Sequence, residues 1–194
     1  MLDTVTETTN TVFMTRRLAV LDAISLGVAN ATDPAAIMAA TTRVLATHLN
    51  LSNCAYADME ADEDGFTIRG NWAAEGSPSI VGHYRLTDFG QLAVERLQAG
   101  EPLIINDNLT ELTPEEAATF QALGVTATIC MPLIKSGRLT ALMAIHDRVP
   151  RRWSSYDLAL LGEVTERSWA HIERVRADAI VREGLSALAD LNAT

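Results

Sequence analysis

The residues whose types could carry chemistry are few and scattered. The chain contains two cysteines, Cys54 and Cys130, and four histidines, His48, His83, His146 and His171. The cysteines lack Cys-x-x-Cys spacing, so they form neither a zinc framework nor a disulfide scaffold and read as reduced, packed thiols. No two histidines have the His-x-x-x-His spacing that sets a pair of imidazoles on one helical face for a metal. No Gly-x-Ser-x-Gly elbow or other motif marks an activated nucleophile. A phosphate-cradling glycine loop followed by lysine is also missing. The chain therefore reads as a non-enzyme without a metal signature, and its function is sought in binding and regulation.

Composition sharpens this. The chain has 194 residues, 48% of them hydrophobic, and a formal net charge of −10. That is one domain of ordinary size with helical extensions and enough apolar material for a substantial core. The acidic balance argues against nucleic acid, because phosphate binding needs clustered Lys and Arg. The one basic cluster, Arg148, Arg151 and Arg152, is too small to reverse it. No apolar run approaches the roughly 20 residues a membrane span needs. Residues 1–12 are polar and Thr-rich, without the basic and apolar regions of a signal peptide. They read as a flexible leader, and the chain as cytoplasmic.

The elements that must position any site follow from period and punctuation. A first helix is expected over Phe13–Ala29, where Met14, Leu18, Leu21, Ser25 and Val28 make a narrow stripe of the coiled-coil kind. Asp33-Pro34 starts a second helix that ends near Asn50. Two strands come next, joined at Asp64-Gly65, with Phe66, Ile68, Gly70 and Trp72 expected on one face. Residues 73–86 read as a long irregular loop, the kind that often binds ligands. A short helix is expected over Asp88–Gln98, capped by Asp88 and stopped by Gly100, and then a strand over Pro102–Asn106. Thr113-Pro114-Glu115-Glu116 is a capping box that opens a helix ending at Gly124. Ala127–Ile134 and Arg138–Asp147 form a hairpin about Lys135-Ser136-Gly137. Ser154 and Asp157 open a last helix, with Trp153 and Leu158 as its hydrophobic staple. Its apolar pattern runs through Leu161, Val164, Ile172, Val175 and Ala179. Leu185, Leu188 and Leu191 continue it with a change of phase, and the sequence ends in mid-pattern at Asn192-Ala193-Thr194.

This order and texture resemble a GAF domain. The likeness is strongest from Ala127 to Ile145, paired strands with Pro132-Leu133 before a glycine turn. Gly100-Glu101-Pro102-Leu103-Ile104-Ile105-Asn106-Asp107 is similar to the family's strand leading into the pocket-side helix. Pro150-Arg151-Arg152-Trp153-Ser154 and Glu166-Arg167-Ser168-Trp169 resemble a subgroup at the N-terminus of bacterial sensor histidine kinases. Arg182–Thr194 resembles the connecting helix of those kinases. The resemblance implies an α+β fold, related to PAS domains, with a central antiparallel sheet of five or six strands. Terminal helices would lie on one face, and a ligand pocket with short helices on the other. The domain would span 13–180, and 181–194 would begin a signalling, coiled-coil helix.

The resemblance also implies candidate ligand-binding positions: Trp72, His83, Tyr84, Asp88, Phe89, Asn106, Asp107 and Cys130. Each has a plainer reading as well. Trp72 can be core, Asp88 a helix cap, His83 and Tyr84 loop closers, Asn106-Asp107 a turn and Cys130 an inert thiol. His146, at a strand end, reads as structural. The family's covalent bilin attachment at Cys-His is not matched, since Ala55 follows Cys54 and Met131 follows Cys130. Neither the phytochrome Asp-Ile-Pro motif nor the Asn-Lys-Phe-Asp-Glu motif of cyclic-nucleotide GAF domains is present. The free methionine-R-sulfoxide reductases of this fold use three cysteines, against two here. The cofactor thus stays unknown. Two functions stand: a small-molecule sensor that relays a change through dimeric terminal helices to a downstream kinase or output domain, and a ligand-free dimerisation module. Both imply a homodimer, with Leu18, Leu21, Val28, Ile172, Val175, Leu185 and Leu188 expected at its interface.

Overall fold

The computed structural model describes residues 2–192, with side chains over 10–188. Helix α1 spans Leu2–Val28, so it takes in positions that the sequence reading assigned to a leader. Helix α2 (Pro34–Leu49) begins where Asp33 accepts a hydrogen bond from the Ala36 N–H, which satisfies one free donor of the first turn. Strands β1 (Asn53–Met59) and β2 (Gly65–Ala73) come next. Strand β3 (Gly82–Arg85) emerges from the stretch expected to be irregular, and a 3-10 turn covers Leu86–Phe89. Then come α3 (Gln91–Gln98), β4 (Leu103–Ile105), the single turn α4 (Asn108–Glu111), α5 (Pro114–Ala122), β5 (Ala127–Lys135), β6 (Arg138–Asp147) and α6 (Ser155–Asn192).

The fold is α+β. Six strands form one sheet in the order β3-β2-β1-β6-β5-β4, antiparallel throughout. Helices α1, α2 and α6 cover one face, where Leu45, Leu160, Leu161 and Ile172 pack on Cys54, Met143 and Ile145. Each of these large aliphatic side chains, fully buried, contributes roughly 2 kcal/mol. Helices α3 and α5 cover the other face, where Leu97 and Phe120 pack on Ala55, Phe66 and Leu142.

Local signals hold up well at the caps. Thr113 and Glu116 exchange hydrogen bonds at the start of α5. Ser154 and Asp157 do the same before α6. The β5–β6 turn places Ser136 and Gly137 at positive φ (51° and 73°), as a tight hairpin requires.

Strand β2 departs from simple alternation. Its register with β1 shifts between Tyr56 and Ala57. A bulge of this kind inserts an extra residue and turns the residues beyond it to the other face. Phe66 and Ile68 accordingly pack toward α3 and α5, whereas Trp72 packs into the layer under α1, α2 and α6. The four residues expected on one face are thus divided between two.

The terminal helices also correct an expectation. Leu21, Val28, Ile172 and Val175, expected at a dimer interface, are buried inside this one chain. The inward face of α1 is Val20, Leu21, Ile24 and Val28, and Met14 and Leu18 lie exposed beside it. Beyond Val175, α6 continues unbroken with Ile180, Val181, Leu185 and Leu188 exposed. Leu191 belongs to the same expected stripe but lies outside the residues whose side chains are described, as do Ala193 and Thr194.

Candidate functional site

Between the sheet and the α3–α5 side lies a cavity of about 60 Å³. Its walls include Phe66, Ile68, Phe89, Leu97, Phe120 and Cys130. The rings close on one another: Phe89 meets Phe120 edge-on at 5.0 Å between centroids and lies 5.8 Å from Phe66. At the β5–β6 end, Thr128 and His146 form a directly opposed pair and bring the lining its hydroxyl and imidazole.

Phe89 is placed by a network of backbone and side-chain hydrogen bonds. Asp64, almost buried, accepts from Arg85 Nε at 2.8 Å, Thr87 N at 3.0 Å and the Thr87 hydroxyl at 3.3 Å. Its burial alone would raise the carboxyl pKa, but these hydrogen bonds and the Arg85 charge outweigh it and hold the group below the ordinary value. Asp88 accepts from the Arg85 N–H and closes the 3-10 turn, and its carbonyl accepts from the Thr119 hydroxyl on α5. Gly90 then takes φ 95°, and a Cβ there would stand 2.5 Å from Glu116 Cγ, so the close approach of the turn to α5 depends on glycine.

His146 Nδ1 lies 3.0 Å from the Thr128 hydroxyl. Burial lowers the imidazole pKa from 6.5 to about 4, so the ring is neutral near pH 7. Burial pushes the Cys130 thiol up to about 12 and raises that of Cys54 as well. Neither supplies a thiolate at neutral pH, and they lie in the layers on opposite faces of the sheet.

Of the positions expected to bind ligand, the structure brings Phe89 and Cys130 to the cavity wall. Tyr84 stands behind them: its ring packs against Phe66 and Phe89, and its hydroxyl donates to the Ile80 carbonyl. His83 is exposed on β3 beside Thr67 and Glu60. Asp88 is a cap of the 3-10 turn, not of α3, whose N-cap is Gly90. Trp72 is on the opposite face because of the bulge. Asn106 and Asp107 join β4 to α4, and Asn106 holds the segment that leads into α6. Asn106 Oδ1 accepts from the Trp153 N–H, and Asp107 caps α4. Thr128 and His146 line the cavity without having been singled out for it by the sequence. Period two along β5 and β6 carries the signal, since Thr128 is two residues from Cys130 and His146 two from Ala144.

The cavity has room for a few water molecules, against the roughly 300–1,000 Å³ of pockets that enclose drug-sized ligands. It does not accommodate a linear tetrapyrrole, and the cysteine on its wall, Cys130, is held as the neutral thiol by burial. Among the described residues no three His, Cys, Asp or Glu side chains gather to hold a metal ion. No helix among those residues is long and apolar enough to cross a membrane.

The family model described as GAF domain matches residues 33–172. No curated protein matches the sequence. Among solved structures, the phycoerythrobilin-bound GAF domain from a cyanobacterial phytochrome is similar, with 16% identity, a TM-score of 0.71, and coverage of 84% of this chain and 97% of that one. The free methionine-R-sulfoxide reductase from Neisseria meningitidis, in complex with its substrate, has 18% identity and a TM-score of 0.68, covering 84% and 91%. A bacteriophytochrome from the photosynthetic bacterium R. palustris has 15% identity and a TM-score of 0.75, covering 94% of this chain and 41% of that one. At these identities the likeness is one of fold.

Proposed function

Because the chain belongs to the GAF domain family, we propose that it is the sensory, regulatory input module of a bacterial signal-transduction protein, placed ahead of a histidine kinase in the cytoplasm. It works as a homodimer that passes a change in the sheet along its terminal helices to an output domain. The observation that carries this reading is α6. One unbroken helix, Ser155–Asn192, begins as core under the sheet and continues into an exposed Val181, Leu185 and Leu188 stripe. The spacing of that stripe, four and three, suits a helix that pairs with another. Any displacement of Leu161, Val164 or Ile172 by the sheet is transmitted along the same rigid rod.

The small-molecule site in this reading is the aromatic cavity. A ligand enters by displacing Phe89 and its 3-10 turn, with His146 and Thr128 as directing polar groups. Coupling then requires that the ligand favour one arrangement of sheet and helices over the other. A second reading, the ligand-free dimerisation module, is favoured by the small volume of about 60 Å³. A native mass spectrum of the protein purified from the organism that encodes it separates the two. Extra mass on each subunit supports the sensor, and a bare dimer supports the dimerisation module. A bare monomer contradicts both. No reactive thiolate is offered by either cysteine, which supports a regulatory rather than a catalytic role.

A further inference from the structure

At the edge of the helical face of the sheet lies a second and larger hollow. About 430 Å³ lies open between the start of α2, the bulged part of β1 and β2, and α6. It is a groove open to solvent, with Asp33, Ala35, Ala39, Arg69 and Gly70 exposed along its rim and Thr42, Tyr56 and Ile172 buried at its base, and two local features shape it. Gly70 lies opposite Tyr56 in the β1–β2 ladder and has no side chain to fill it. A Cβ built on Gly70 would meet no heavy atom within 4 Å. Small residues of α2, including Ala35 and Ala39, form the wall above it.

The chemistry of the lining is mixed. Met38, Ala39 and Ile172 provide apolar walls. Tyr56 also lines the groove and is only 6% exposed, and its hydroxyl is buried with no hydrogen-bond partner. A buried hydroxyl normally finds a partner, and an orphan marks a place where one is missing. The phenol lies close enough to Asp58, Arg176 and Glu173 to feel their charges, which puts it at the polar end of the groove. There the bulge of β2 supplies Arg69. The Arg69 guanidinium has a single loose pairing, 3.5 Å from Asp58 Oδ2, and is mostly exposed. Arg176 is held by Asp58 at 3.3 Å and Glu173 at 3.0 Å, and Asp33 is engaged as the cap of α2. The groups left to meet a ligand are therefore the Arg69 guanidinium, the Asn71 amide nitrogen, which is also buried without a partner, and the Tyr56 hydroxyl.

We propose that this groove is a second ligand site, on the face opposite the aromatic cavity, for a small amphipathic carboxylate. The apolar body lies against Met38, Ala39 and Ile172 over Gly70. The carboxylate takes hydrogen bonds from Arg69 and the Tyr56 hydroxyl. Its volume is that of a pocket for a small organic molecule. Ile172 and Arg176 belong to α6, so occupancy bears directly on the helix that leaves the domain, without passing through the sheet.

Saturation-transfer NMR on the full chain tests this with millimolar phenylacetate and its neutral counterpart phenylacetamide. The expected result is binding of the acid with clear preference over the amide. Gly70→Leu, which fills the groove, abolishes it. Arg69→Gln, an exposed change that leaves the fold intact, weakens it by about tenfold, the scale of one lost charge-assisted hydrogen bond. Tyr56→Phe weakens it several-fold. The proposal is overturned by absence of acid binding, by equal binding of acid and amide, or by affinity unchanged in both Gly70→Leu and Arg69→Gln. The last result would place the acid elsewhere, and it leaves the reading of the aromatic cavity untouched.

Discussion

On its helical face the sheet is covered by long aliphatic side chains from α1, α2 and α6, and a sizeable open groove remains where Gly70 lies opposite Tyr56. On its other face, the 3-10 turn and α5 bring Phe89 and Phe120 against Phe66 of β2, with Tyr84 of β3 behind them, to close a much smaller hole. The first face is built on long rigid helices that must lie across the sheet and cannot follow its local twist, so a missing side chain stays unfilled. The second is built on short pieces that settle individually, so the rings close in. The face whose fold family suggests a ligand pocket is thus the better packed, and the face that carries α6 is the more open.

Four changes sharpen that contrast. The largest effect is expected at Leu21, which packs under the helical layer and is 4% exposed. Leu21→Asp places an unpaired carboxylate in that core and costs about 4 kcal/mol or more, seen as loss of the cooperative thermal transition. If the variant folds normally, α1 does not pack as described.

On the aromatic side, His146 makes stability depend on pH. Below its ordinary value of 6.5 the unfolded chain takes up a proton that the folded chain refuses until about pH 4. The stability it confers is complete above pH 6.5, falls through that window and is gone below pH 4, an effect of about 3 kcal/mol. Urea unfolding from pH 7.5 to 4 should show this fall, and His146→Gln should flatten it. An equal slope in both proteins would contradict the burial of the imidazole.

A smaller effect is expected at Asp64, which holds the 3-10 turn that carries Phe89. Asp64→Asn weakens the hydrogen bonds to Arg85 and Thr87 and costs about 1–2 kcal/mol. Amide hydrogen exchange should rise over residues 85–90 while α6 stays protected. Uniform loss of protection would mean that the turn is not a separate unit. The smallest is Ala55→Val, which places two methyl groups in the aromatic cavity on a strand position that suits a β-branched residue. Its effect on the denaturant midpoint should stay within about 1 kcal/mol, and a larger loss would show the cavity to be already full.

Much of this arrangement was legible in the sequence where the signals are local. The caps at Asp33, Thr113 and Ser154 depend on a side chain and a backbone N–H three residues apart, and each forms as read. The division of helices between the two faces followed from the GAF resemblance. The features that could not be read depend on register. The bulge at Tyr56 and Ala57 leaves no mark in composition, yet it moves Trp72 to the opposite layer from Phe66 and puts Arg69 beside Asp58. Strand β3 has four residues, too few for alternation to show. In the aromatic cavity, Phe89 and Cys130 were legible. Asp88, Asn106 and Asp107 serve turns and caps, as those residue types commonly do. The stripe on the terminal helices misled because burial by α2 and burial by a second copy leave the same apolar spacing. Leu21 and Ile172 are buried within the chain, whereas Leu18, Leu185 and Leu188 are exposed.

Relay through paired α6 helices is tested most directly by light scattering of the full chain at tens of micromolar, beside a Leu185→Asp, Leu188→Asp double variant. The account predicts twice the 21.0 kDa chain mass for the wild type and a monomer with unchanged circular dichroism for the variant. A monomeric wild type, or a dimer indifferent to both substitutions, would contradict it.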